Sequence, residues 1–183
     1  MDRQLAQIFR ILATGFSYPQ DDTIQNGFRM AIEEIAGSLG IHIEIDWPST
    51  EEMREAYTRL FINEPNSNWA PPFSSVYLSG QGILMADGRD QAIEFYREAG
   101  LEPASDTEPE DFLATELAFV AELVEKGQRK LLIRFLNEHL FRWFPLFFNR
   151  LMAVDPHPYY LLLAEITSKL LNLMNQEVLD ETT

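Results

Sequence analysis

Apolar positions recur every three or four residues along most of the chain, the spacing that lines up one face of an α-helix. From Asp2 to Tyr18 the stripe is Leu5, Ile8, Phe9, Leu12 and Phe16, and Pro19 then stops the helix. Asp21 or Asp22 can cap a second helix with Ile24, Phe28, Ala31, Ile32, Ile35 and Leu39 inside and Gly40 as its end. Ser49 or Thr50, followed by Glu51 and Glu52, opens a third that buries Met53, Ala56, Tyr57, Leu60 and Phe61. Between these two helices, Ile41-His42-Ile43-Glu44-Ile45 alternates as a strand does. One short strand without a partner cannot form a sheet, so an extended connection is expected.

The pattern then breaks. From Asn63 to Leu78 the chain holds Pro65, Pro71 and Pro72 with Asn66, Ser67 and Asn68, a composition that blocks helix and sheet alike and predicts a long ordered loop or hinge near 63–82. Asp87 or Asp90 can start a helix through Ile93, Phe95 and Tyr96 to Gly100, and a second acidic loop follows at Leu101–Thr107. Thr107-Glu108-Pro109 reads as a cap with proline in the first turn, opening a helix through Phe112, Leu113, Leu117, Val120 and Leu123 to Gly127. Leu131–Leu140 and Trp143–Val154 come next, with a bend expected at Pro145, and Asp155 caps a last helix through Leu171, Leu173 and Met174. The sum is an all-α fold, a single-domain helical bundle over 1–183 whose proline-rich segment joins two helical halves.

Composition narrows the function. A chain of 183 residues with 46% hydrophobic content suits one compact core, and no apolar run reaches the roughly 20 residues of a membrane span. The opening Met1-Asp2-Arg3-Gln4-Leu5 passes into the amphipathic pattern without the parts of a secretory signal, which predicts a cytoplasmic protein. With 0 cysteines there are no disulfides, thiolate metal sites or Cys nucleophiles. The net charge of −15 repels phosphate backbones and attracts basic partners, so nucleic acid is a poor candidate. Positive charge concentrates in Lys126, Arg129, Lys130, Arg134, Arg142 and Arg150, opposed in that stretch by Glu138 alone.

Catalytic and metal patterns are missing. The residues three before His42, His139 and His157 are Leu39, Leu136 and Val154, so the Glu-x-x-His pairs of carboxylate metal bundles are absent, and so is HExxH. Ala36-Gly37-Ser38-Leu39-Gly40 half resembles a nucleophile elbow but ends a helix, and Gly80-Gln81-Gly82 lacks the third glycine of a dinucleotide loop. Paired acids such as Glu51 with Glu55, or Glu110 with Asp111, are expected by chance in so acidic a chain. These readings predict a protein without metal, cofactor or enzymatic activity. The rival classes are a helical hydrolase or nucleotide-binding enzyme using acidic pairs, and an acidic adaptor subunit.

Three stretches carry a likeness. Tyr57-Thr58-Arg59-Leu60-Phe61 matches a Tyr-x-x-Leu-Phe element, and Ala70-Pro71-Pro72-Phe73-Ser74-Ser75-Val76-Tyr77-Leu78 a proline–aromatic–Ser-x-Tyr loop. Pro109-Glu110-Asp111-Phe112-Leu113-Ala114-Thr115-Glu116-Leu117 is similar to a Pro-x-Asp-His-Leu helix start, with Phe112 in the histidine's place and Phe73 where tyrosine is commoner. His139-Leu140-x-x-Trp143-x-Pro145 and Tyr160-x-x-Leu163-Ala164 follow in order. Together they resemble the TorD/DmsD/NarJ family of redox-enzyme maturation chaperones. The resemblance implies a cytoplasmic chaperone that binds the twin-arginine leader or the immature form of a molybdopterin-dependent oxidoreductase. In the NarJ branch the client is not exported.

Peptide binding also suits the residues themselves, because helical bundles grip apolar peptides in grooves lined by aromatic and aliphatic side chains with a polar rim. Tyr57, Leu60, Phe61, Trp69, Pro71, Pro72, Phe73 and Tyr77 are the candidate lining, with Ser74 from the same loop. The acidic helix start with Glu108, Glu110, Asp111 and Glu116 could receive a leader's arginines through charge-assisted hydrogen bonds, with Phe112 beside it. The expected state is a monomer, or a dimer that swaps halves about the proline-rich hinge.

Overall fold

The structure, a computed structural model, describes residues 2–20, 26–62, 68–78, 87–102 and 108–180. The described elements are α1 (Asp2–Phe16), α2 (Asn26–Ser38), α3 (Thr50–Tyr57), a π turn (Thr58–Ile62), α4 (Ser74–Leu78), α5 (Asp87–Glu98), α6 (Leu113–Glu125), α7 (Arg129–Phe135), a second π turn (Leu136–Leu140), α8 (Phe141–Ala153) and α9 (Pro158–Asp180). Among the described residues there is no strand, only an isolated antiparallel bridge between Phe73 and Phe112. The fold is all-α, and residues 41–49 form the expected non-helical connection. No helix among the described residues is long and apolar enough to cross a membrane.

The chain divides into two compact units, Met1–Thr14 with Pro71–Phe147, and Gly15–Ala70 with Phe148–Thr183. In the first, nine of the thirteen residues of α6 are buried, so this helix is enclosed rather than lying on the surface. Aromatic edges tie it to its neighbours: Tyr96 of α5 meets Phe119 at 4.6 Å between ring centres, and Phe119 meets Phe135 of α7 at 4.9 Å. Each such fully buried ring contributes roughly 1.5–3 kcal/mol through the area it removes from water.

The second unit is built on α3 and α9. Tyr57 meets Phe61 at 5.1 Å and Phe61 meets Tyr160 at 5.0 Å, and the Tyr160 hydroxyl donates to the Met53 carbonyl at 3.1 Å. Burial pushes that phenol well above its ordinary pKa. A Cβ added at Gly15 would stand 2.8 Å from a methyl of Leu163, which is why the smallest residue sits there.

Helix ends follow the sequence where the signal is local. Ser49 caps α3 in a capping box: its hydroxyl accepts from the Glu52 amide at 3.3 Å, while its own amide donates back to the Glu52 carboxylate at 2.8 Å. Gly127 ends α6 at φ 63, with the Gln128 amide donating to the Leu123 carbonyl at 2.9 Å.

Other expectations fail for identifiable reasons. The proline-rich segment is not uninterrupted loop, because Ser74–Leu78 forms a helical turn whose first two amides find acceptors elsewhere in the chain. The α6 helix opens at Leu113, not near Pro109, because the Phe112 and Leu113 backbone is engaged with Phe73 and Pro72 first. The last helix is capped by His157, whose Nδ1 accepts from the Tyr159 amide at 3.2 Å. Asp155, three residues before the helix, instead takes a left-handed turn at φ 52. Helical structure also runs from α7 into α8 without the expected gap, through the second π turn, and Pro145 lies inside α8. Thr107, Asp21 and Asp22 lie outside the described residues.

Candidate functional site

The most densely connected part of the predicted site is the start of α4. The Ser74 amide donates to the Asp111 carbonyl at 2.9 Å, the Ser75 amide to the Asp111 carboxylate at 3.0 Å, and the Leu113 amide to the Pro72 carbonyl at 2.9 Å. Asp111, 1% exposed, therefore caps the start of α4 from a distant part of the chain. The same pairing brings the Phe73 and Phe112 rings to 5.3 Å, tilted by 31°. Phe112 is buried, whereas Phe73 remains partly accessible. Gly88, near the start of α5, closes this corner: a Cβ there would come within 2.7 Å of the Ser75 amide nitrogen.

Behind α4 lies a buried polar network. One carboxylate oxygen of Glu116 pairs with His139 Nε2 at 2.7 Å, and the other accepts from the Trp143 indole N–H at 2.9 Å. The second ring nitrogen of His139 pairs with the side-chain oxygen of Gln91 at 2.9 Å, and the ring stacks on Phe135 at 5.3 Å. Burial raises the Glu116 carboxyl above its ordinary pKa, while His139 and the two hydrogen bonds pull the other way. Trp143 in turn stacks on Tyr77 of α4 at 5.8 Å with the rings 21° apart.

The acids of the predicted helix start therefore differ in availability. Asp111 and Glu116 are buried. Glu110 is gripped by Arg89 through two hydrogen bonds, at 2.6 and 3.1 Å, which hold its carboxyl below the ordinary range. Glu108 is exposed, yet partial desolvation raises its carboxyl above the ordinary value. Among the described residues, it is the carboxylate of this group best placed to meet an incoming cation.

The other predicted residues divide between the two units. Pro71, Pro72 and Ser74 are buried and Tyr77 is partly accessible, all in the same unit as Asp111, Phe112 and Glu116. Tyr57, Leu60 and Phe61 are core residues of the second unit. Trp69, also in that unit, is partly accessible, with its carbonyl accepting from the Arg150 guanidinium at 2.7 Å. Sequence reasoning missed Val76 and Leu78, partly accessible on α4, and Leu146, 48% exposed on the helix that carries Trp143. It also missed that His139 and Trp143 share one buried partner: it set them in separate helical segments, and nothing local to either names Glu116. Among the described residues no group of three or more His, Asp or Glu side chains is placed to hold a metal ion.

Residues 21–149, which include every candidate from Tyr57 to Glu116, match the family model of the nitrate reductase delta subunit. The chain belongs to that family. It is the TorD/DmsD/NarJ group of redox-enzyme maturation proteins to which the sequence motifs pointed. The Tat proofreading chaperone DmsD of Salmonella typhi is 32% identical over 119 residues, 64% of this chain and 58% of that protein. The chaperone protein TorD of Shewanella piezotolerans is 27% identical over 140 residues, 72% of this chain and 65% of that protein. This chain thus spans under two thirds of the length of either relative. A crystal structure of a candidate redox enzyme maturation protein from Archaeoglobus fulgidus superposes with a TM-score of 0.62 at 24% identity, covering 93% of each chain, and supports the fold.

Proposed function

We propose that this protein is a cytoplasmic chaperone that binds the twin-arginine leader of a molybdopterin-dependent oxidoreductase, and the immature enzyme behind it, until the cofactor is inserted. It does so by non-covalent binding, without catalysis, metal or cofactor of its own. The observation that carries this reading is family membership across the candidate site, with relatives named as Tat proofreading chaperones. A second reading, assembly of a client that is not exported, is favoured by the family's description as the nitrate reductase delta subunit.

In this proposal the two units act together as one chaperone domain, as a monomer or as a dimer that swaps halves. Phe73 and Tyr77 are the accessible rings that receive the apolar part of the leader. Pro71, Pro72, Ser74 and Phe112 shape that surface from below, Asp111 holds its helix, and Glu116 stands behind. Glu108 meets a leader arginine in a charge-assisted contact that salt weakens. Trp69, with Tyr57, Leu60 and Phe61 of the other unit, completes the set of peptide-binding candidates.

Titration calorimetry with leader peptides of neighbouring oxidoreductases tests the reading. Phe73→Ala should weaken binding by about 1 to 3 kcal/mol at every salt concentration, as expected of an apolar anchor. Replacing the two leader arginines by alanine should weaken binding more at low salt than at high salt. If no leader and no immature client binds the parent chain, the function is wrong. Binding of the body without the leader selects the second reading.

A further inference from the structure

We infer that Glu116 is a positioning residue for the Phe73–Tyr77 surface, itself held in place by His139. This deepens the proposed function and rests on it for the role of that surface. The five residues of α4 are too few for a helix to hold its own shape, so outside contacts must set the direction of its accessible rings. The backbone anchors the start of α4, since Phe112 is bridged to Phe73 and its neighbour Asp111 caps Ser75. The Glu116 amide's own bond to the Phe112 carbonyl, at 3.0 Å, is an ordinary helical one that does not involve its carboxylate. Through side chains, the bond from the Trp143 indole to Glu116 fixes the plane of the ring on which Tyr77 stacks.

Stability alone does not account for such a group. Apolar side chains of similar volume usually serve a core as well as a buried ion-pairing carboxylate does, whereas a fully partnered polar network specifies one arrangement. Here both Glu116 oxygens have partners, and each His139 nitrogen lies within hydrogen-bond distance of a side-chain oxygen, one of Glu116 and one of Gln91. His139 lies within the π turn at Leu136–Leu140 and Trp143 in the first turn of α8, and both reach the same carboxylate.

The test uses the full chain with Glu116→Gln, His139→Gln and, as a control lowering stability elsewhere, Ser49→Ala. Hydrogen exchange at the Ser75 amide and the Trp143 indole is followed by nuclear magnetic resonance where all variants are fully folded, and leader binding by calorimetry. Glu116→Gln should lose about tenfold in Ser75 protection and several-fold in peptide affinity, with His139→Gln moving both the same way by less. Ser49→Ala should lower the melting temperature and leave both readouts at parent values. If Glu116→Gln melts earlier but keeps Ser75 protection and affinity, the residue is merely structural and the inference is overturned. Should Glu116→Gln fail to fold, the same criteria apply to His139→Gln. If the parent binds no leader, the proposed function falls, and Ser75 protection alone then decides the positioning role.

Discussion

Two helix starts that look alike in the sequence are built on opposite principles. Before α3 the chain reads Ser49-Thr50-Glu51-Glu52, and before α6 it reads Glu108-Pro109-Glu110-Asp111, with Glu116 in the first turn beyond. Both stretches offer acids to a helix N-terminus. The α3 start spends them on itself: Ser49 and Glu52 close a capping box in water, within four residues of each other. The α6 start has no side-chain cap at Phe112 and gives its acids away, Asp111 to the amide of Ser75 and Glu116 to His139 and Trp143. A local cap fixes where one helix begins. A remote one fixes how two segments meet, and at α6 the second purpose has displaced the first.

The comparison is broken most severely at Glu116. Glu116→Ala should cost about 3–5 kcal/mol, because it leaves His139 and the Trp143 indole buried without their acceptor. Urea denaturation measures this, and a loss below about 1 kcal/mol would mean that the network is not maintained in solution.

The two glutamates should also titrate in opposite directions. Burial holds the Glu116 carboxyl above its unfolded value, so its contribution is complete below that value and is lost as pH rises through the folded one. The Ser49 amide and hydroxyl hold Glu52 below its unfolded value, so its contribution is present above that value and is lost as pH falls through the folded one. Raising pH from about 4 to 8 should therefore shrink any stability advantage of the parent over Glu116→Gln and enlarge its advantage over Glu52→Gln. Parallel pH profiles for the two variants would contradict the contrast.

Next in size is Asp111→Ala, which strands the buried Ser75 amide and should cost about 2–3 kcal/mol, largely independent of salt since the group is out of water. A cost that disappears in molar salt would place this carboxylate at the surface instead. Smallest is Ser49→Ala, at about 1 kcal/mol, with no change in peptide binding, because the α3 cap serves only its own helix.

Periodicity alone was enough for the helical class, the inner faces of α1, α3, α5 and α6, and the stops at Gly40 and Gly127, because each depends on residues within a turn or two of one another. The motif around Phe73 and Asp111 also marked the right segments. What it could not say is what those residues do. Asp111 is read in sequence as an acid awaiting an arginine, but folding places its carboxylate on an amide 36 positions away. Glu116 is read as part of the same acidic helix start, but it faces inward to a histidine and a tryptophan from beyond its own helix. The helical turn at Ser74–Leu78 was invisible for the same reason: prolines and serines disfavour it locally, and its first two amides find their acceptors on the distant Asp111. Sequence determined which faces are apolar. Tertiary structure decided which polar groups meet, because a buried donor or acceptor must find a partner wherever the fold brings one.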